Sequence, residues 1–163
     1  MSEKLDGVRA YWDGTTLFSR HGKQFPLPEW FARDLPKQLA LDGELWMGQG
    51  TFERLMALLN ASPATVEDRE WKSIKYMVFD LPKSGKPFEG RMKELSELSL
   101  PPHVNLVGRE VCEGNGFLVE RLETLVKHGG EGLMLNKPSS DYVAERTGCL
   151  LKVKVSRVVS KQL

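Results

Sequence analysis

The stretch SEKLDGVRAYWDGTTLFSRHG, residues 2–22, decides how this chain is read. Its second half alternates with period two from Val8 to Trp12, breaks at Asp13-Gly14, resumes from Leu17 to Arg20 and turns again at His21-Gly22. Such alternation between glycine-containing turns predicts a β-hairpin, because successive strand residues point to opposite faces and glycine supplies the freedom that a tight turn needs. The first half, Lys4-Leu5-Asp6-Gly7, sets an amine beside a carboxylate and a flexible turn. A free lysine has a pKa of ~10.4 and is protonated at neutral pH. A nucleophilic Lys4 therefore needs neighbouring cations or desolvation to destabilise its ammonium form.

Outward from the hairpin, Pro28 to Arg33 predicts a short helix and Leu39 to Trp46 a strand. Phe52, Leu55, Met56 and Leu59 fall at helical spacing, and Ile74 to Leu81 reads as a buried strand. Helical patterns return at Glu89 to Leu98 and at Phe117 to His128, the second closed by Gly129-Gly130. Further strands are predicted at Asn105 to Val111, Glu131 to Asn136 and Leu150 to Val155. Strands outnumber helices, and no repeat, low-complexity segment or linker interrupts them. The predicted class is α+β, with mainly antiparallel β-sheets packed face to face and helices outside.

A chain of 163 residues, 40% hydrophobic and 9% aromatic, has the size and composition of one domain with a core. No apolar run reaches the length of a membrane span, and no leader pattern opens the sequence, so no membrane association is expected. The expected compartment is intracellular by default, or periplasmic if a signal peptide preceded the chain. Cys112 and Cys149 lack zinc-site spacing and are too sparse for a disulfide framework, which leaves structural thiols. With 23 Lys and Arg against 22 Asp and Glu, the net charge is +1, so any polyanion site must be local. Lys152, Lys154, Arg157 and Lys161 form an acid-free basic tail that can face phosphate or only solvent.

Several residues carry chemistry at suggestive spacing. Lys152 and Lys154 alternate along a strand, so both amines can reach one phosphate from one face and can supply the cationic environment that Lys4 requires. Asp42 and Glu44 share a strand face, flanking Gly43 where backbone can approach a ligand closely, and with Glu131 they can gather carboxylates around a divalent cation. Phe79 ends an apolar strand beside a carboxylate, placed to stack on a purine. Arg9 and Arg20, one from each hairpin strand, can both reach phosphate or sugar oxygens. Taken singly, each also fits a bland role: a solvated strand edge, a core phenylalanine or a surface arginine.

The ordered blocks SEKLDGVR, LFSRHG, LDGEL, YMVFD, EGLML and LLKVK together resemble the covalent nucleotidyltransferase superfamily of polynucleotide ligases and mRNA capping enzymes. Within it they are most similar to ATP-dependent DNA ligases, in particular the small bacterial ones, and the resemblance runs from Ser2 to about Val155. It implies an ATP-grasp-like nucleotidyltransferase (adenylation) domain over residues 1–155, followed by a basic tail over 156–163. It further implies ATP with Mg²⁺ or Mn²⁺, a monomer acting on nicked duplex DNA, and the nick-joining reaction of DNA repair, replication and recombination.

By this resemblance Lys4 forms the covalent bond to AMP. Asp6, Asp42, Glu44 and Glu131 bind or orient the metal, with Glu44 also on the ribose. Glu3, Gly7, Arg9 and Phe79 line the nucleotide, Phe79 by stacking on adenine and Arg9 on ribose or phosphate. Lys152 and Lys154 take the α-phosphate, and Arg20 the 5′-phosphate of the nick. In such ligases an oligonucleotide-binding (OB-fold) β-barrel follows the last block and closes over ATP and DNA. Its absence here is expected to mark either a fragment or a minimal catalytic core with weak DNA binding. The alternatives are an RNA ligase, a capping guanylyltransferase, or a nucleic-acid-binding remnant of the fold without turnover.

Overall fold

Alternation in the opening stretch forms the hairpin it dictates. In the computed structural model, which describes residues 1–155, β1 (Ser2–Glu3) precedes the antiparallel pair β2 (Val8–Trp12) and β3 (Leu17–Ser19). The tail expected over residues 156–163 lies outside the described residues. Asp13 lengthens the hairpin loop beyond Asp13-Gly14, because its Oδ1 accepts the backbone N–H groups of Thr15 (2.7 Å) and Thr16 (2.8 Å). A side-chain oxygen thus closes the turn in place of a backbone carbonyl.

The remaining elements keep the predicted order, with one short helix, Asp68–Trp71, beyond those predicted. They are α1 (Glu29–Arg33), β4 (Leu41–Trp46), α2 (Phe52–Asn60), α3 (Asp68–Trp71), β5 (Lys75–Asp80), α4 (Phe88–Ser96), β6 (Val104–Leu106), α5 (Asn115–Lys127), β7 (Leu133–Asn136) and β8 (Leu150–Val153). Pro28 starts α1 with its φ already at −58°. Gly129 and Gly130 end α5 by donating to the carbonyls of Val126 (3.0 Å) and Leu125 (2.9 Å), with Gly129 at a φ of +91° that favours glycine.

The strands make a five-stranded sheet, β3-β2-β4-β5-β6, and a three-stranded sheet, β1-β7-β8. The α+β class and the mainly antiparallel pairing stand as predicted, except that β6 runs parallel to β5 after crossing over through α4. The predicted strand from Asn105 to Val111 is also shorter. Its pairing with β5 ends near Val107, whose N–H reaches Val78 O, and the chain then moves to the other sheet, where Arg109 bridges Ser2 and Glu110 N–H reaches Met1 O. Val111, left beyond both ladders, is 80% exposed.

The main core lies on one side of the larger sheet, between it and the helices. Ala10, Trp12, Leu41, Leu45, Tyr76 and Val78 point from one face of the five-stranded sheet onto Phe31, Leu55, Leu58, Leu59, Trp71 and Leu95 of the helices. Each such apolar side chain contributes about 1.5–3 kcal/mol when fully buried. The three-stranded sheet adds nothing to this cluster. It meets the opposite face of the larger sheet, where Arg9, Glu44 and Phe79 alternate with the buried residues, and an open cleft lies between.

Gly43 has a different role from the close ligand approach that the sequence suggested. A Cβ there would lie 2.6 Å from the Tyr76 ring and 2.7 Å from Met77 O, so its space is filled by the core. The Tyr76 hydroxyl lies between the carbonyls of Leu41 (3.0 Å) and Ala10 (3.1 Å), and its burial pushes its pKa far up.

Candidate active site

Lys4 is set by the edge of the small sheet. Its backbone N–H donates to Gly132 O at 2.8 Å, just past the β1–β7 ladder. Gly132 must be glycine, since a Cβ would sit 2.3 Å from Val153 O on β8. That close approach brings the neighbouring Glu131 against the nucleophile candidate. Lys4 Nζ donates to Glu131 Oε2, and Lys154 Nζ donates to Oε1 of the same carboxylate. Burial pushes the Glu131 carboxyl up, but the bonds from Lys154 and Lys4 outweigh it and hold its pKa below the usual range.

The direct partner of Lys4 is therefore an anion, and of the two cations anticipated near it Lys154 shares that carboxylate. Lys152 lies opposite Met134 on β7 and lines the cleft with it. Lys154, one residue past the end of β8, turns instead to Glu131.

The cleft, of about 470 Å³, collects residues from both sheets: Lys4, Met134 and Lys152 from the smaller, Arg9, Glu44 and Phe79 from the larger. Glu3, Gly7, Arg20 and Asp42 also line it. Gly7 donates its N–H to Glu44 Oε1 at 2.9 Å, and a side chain at Gly7 would collide with Leu45 O at 2.3 Å. Burial pushes the Glu44 carboxyl up, opposed by the Gly7 N–H and the charge of Lys4 and reinforced by Glu131 and Asp6. Three charged groups thus act on the Glu44 carboxylate. The Glu3 carboxylate accepts the Gln49 amide at 3.0 Å.

Asp42, expected among the metal ligands, is engaged by partners within the chain. At 1% exposure it receives Arg9 through Nε (3.1 Å) and Nη2 (2.6 Å), and the Tyr142 hydroxyl at 2.8 Å. A buried carboxylate needs such partners, because an unpaired charge in low dielectric is costly. Arg9 is correspondingly fixed by Asp42 and by Tyr142 (3.3 Å), leaving Nη1 as the nitrogen not engaged there. Among the described residues no three His, Cys, Asp or Glu side chains gather as a metal cage, so the four-carboxylate cluster is not preformed. Mg²⁺ does not require such a cage, since it characteristically takes one or two carboxylates and completes its shell with phosphate oxygens and water.

A family model for the ATP dependent DNA ligase domain matches residues 1–154. The chain belongs to this family. It is 31% identical over 160 residues to a DNA ligase of Haemophilus influenzae (strain ATCC 51907 / DSM 11121 / KW20 / Rd), covering 96% of this chain and 58% of that one. A solved structure from a study of Lig E DNA ligases, described as DNA binding with a minimal scaffold, is 37% identical and superposes with a TM-score of 0.87 over 94% of this chain and 60% of that chain. A Chlorella virus DNA ligase-adenylate shares the fold, with a TM-score of 0.75 at 21% identity over 94% of this chain and 59% of that one. The chain thus spans about three-fifths of the length of these ligases.

Two residues of the ligase domain's cleft escaped the motif reading. Tyr142 stands in the polar segment SSDYVAERTG, where a lone aromatic was the available signal. Arg91 lies one helical turn before buried Leu95 on α4 and is itself only 2% exposed, its guanidinium on Asp80 at 2.6 Å and 3.2 Å. An arginine in the apolar stripe of a helix that follows a strand ending in aspartate was the legible sign. Cys112 and Cys149 are both free and half-buried, and Cys149 lines the cleft. No helix among the described residues is long and apolar enough to cross a membrane.

Proposed function

We propose that this chain is the ATP-grasp-like nucleotidyltransferase domain of an ATP-dependent DNA ligase. In this reading residues 1–155 form the domain, 156–163 a basic tail, and an OB-fold domain or partner supplies the second DNA-binding face. The observation that carries the reading is the convergence of Lys4, Glu131 and Lys154 at the edge of a cleft that Lys152, Arg9, Glu44 and Phe79 also line.

In the first step Lys4 Nζ forms a bond to the α-phosphorus of ATP while the bond to the pyrophosphate oxygen breaks. The amine gives up a proton, with Glu131 the carboxylate in contact with it. Lys152 and Lys154 neutralise charge on the phosphates, Lys154 by leaving Glu131. Phe79 supports the adenine, Glu44 accepts from the ribose, and Gly7 holds Glu44 in place. Asp6, Glu44 or Glu131 would hold Mg²⁺ or Mn²⁺, which when bound would supply charge neutralisation. AMP then passes to the 5′-phosphate of a nick, which Arg20 at the cleft rim meets, and the adjacent 3′-hydroxyl displaces AMP. The domain's contribution is alignment and electrostatic stabilisation of an in-line displacement.

Intact-mass measurement after incubation with ATP and Mg²⁺ tests this. One AMP is expected on wild type, mapping to Lys4, and none on Lys4→Ala. An adduct from GTP alone would replace the ligase with a capping enzyme, and sealing of nicked RNA but not nicked DNA would make it an RNA ligase. A chain that binds a nick already carrying 5′-AMP but leaves it open is a binding module.

A further inference from the structure

The segment joining β7 to β8 is a strap that ties the two sheets together. Lys137 N–H on Cys149 O (2.8 Å) closes its base. Its next turn is pinned to the start of α4. Ser139 N–H meets both Glu89 oxygens (2.9 and 3.1 Å), and Ser140 O accepts Phe88 N–H (2.9 Å) and Arg91 Nη1 (2.9 Å). Arg91, buried and paired with Asp80 at the end of β5, makes this anchor rigid. Two residues along, Tyr142 reaches the cleft face of the larger sheet. Its hydroxyl donates to Asp42 Oδ2 (2.8 Å) and accepts from Arg9 Nη2 (3.3 Å), closing a ring of hydrogen bonds around the Arg9–Asp42 pair. Arg9, 41% exposed, stands with its guanidinium 6.0 Å from the centre of the Phe79 ring.

We propose that Tyr142 is a positioning residue that fixes Arg9 beside Phe79 and thereby sets the affinity of the cleft for nucleotide. This rests on the nucleotide-binding reading above. A guanidinium fork held on Asp42 alone can hinge about that carboxylate. The hydroxyl removes this freedom, so Nη1 faces the ligand without an ordering cost at binding. Because Tyr142 belongs to the connection between β7 and β8, the orientation of Arg9 is tied to the sheet that carries Lys152.

The test is a double-mutant cycle read by calorimetric ATP binding in EDTA and by the rate of adduct formation at saturating ATP with Mg²⁺. Tyr142→Phe, which keeps the ring and removes the hydroxyl, is expected to weaken ATP binding by about tenfold, or ~1.4 kcal/mol, and to leave the saturated rate unchanged. In an Arg9→Ala background Tyr142→Phe is expected to add nothing. An unchanged affinity, or effects that multiply independently in the double variant, overturns the proposal. If Tyr142→Phe loses its circular dichroism signal, Arg9→Lys, which keeps the charge and removes the fork, must weaken binding to the same extent or the proposal falls. A wild type that binds no ATP sinks the nucleotide reading and this inference with it. Wild-type binding matched by Tyr142→Phe sinks only the role of Tyr142.

Discussion

In the five-stranded sheet Leu45, Tyr76 and Val78 are wholly buried against helices, whereas in the three-stranded sheet Leu150 and Leu151 keep 39% and 53% of their surface in solvent. The larger sheet is held by a one-sided apolar core. The smaller is held by its backbone ladders, by the Arg109–Ser2 bridge and by Glu131 between two lysines, and its neighbour α5 has no buried side chain. Two of the groups that hold this second region, Lys4 and Lys154, are also ones that the proposed function assigns to the nucleotide. Moving Lys4 or Lys154 from Glu131 to a phosphate exchanges one charged contact for another, outside the main core. The first region can thus serve as a rigid floor and the second as a wall whose polar contacts rearrange.

The contrast is most sharply broken at Arg91, where the two regions are pinned. Arg91→Ala leaves Asp80 buried without its cation and frees the strap at Ser140, and should cost about 3–5 kcal/mol, measured by urea denaturation. A loss below 1 kcal/mol would mean that the strap does not depend on this anchor. Next in size is a matched pair. Leu45→Ala, in the core, should cost about 2–5 kcal/mol, and Leu151→Ala, on the small sheet, no more than about 0.5 kcal/mol. Equal costs would remove the distinction between floor and wall.

The smallest effect has the opposite sign. Burial raises the Glu44 pKa in the folded chain, so the stability this group contributes is full below its unfolded pKa and is lost as pH rises through the folded value. Glu44→Gln, which can still accept the Gly7 N–H, should therefore raise the melting temperature at pH 7. That gain should vanish as pH falls to ~4. A lower melting temperature for Glu44→Gln at neutral pH would show that the ionised carboxylate is stabilised by its surroundings.

Local patterns were legible wherever the physics is local. The alternation from Val8 to Trp12, the spacing of Phe52, Leu55 and Leu59, and the glycine pair after α5 each report backbone geometry within a few residues, and each element formed. The ordered blocks likewise pointed to the cleft that gathers Lys4, Arg9, Glu44, Phe79 and Lys152. Less legible were the two-residue strand β1, too short for any period, and the transfer of the chain from one sheet to the other after Val107. The partners of Asp42 are not legible either, because strand alternation gives a residue's face and not what it meets; Arg9 and Tyr142 come from 33 and 100 residues away.

The amino-acid sequence by itself determined the order of strands and helices, the side chains available for chemistry and membership in the ligase domain family. Only the tertiary structure decided that the core lies on one side of the large sheet, that Glu131 is shared by two lysines, and that Tyr142 closes on Asp42 and Arg9. The reason is range: backbone periodicity is set between neighbours, while a buried charge takes whichever partner the folded chain carries within hydrogen-bonding distance.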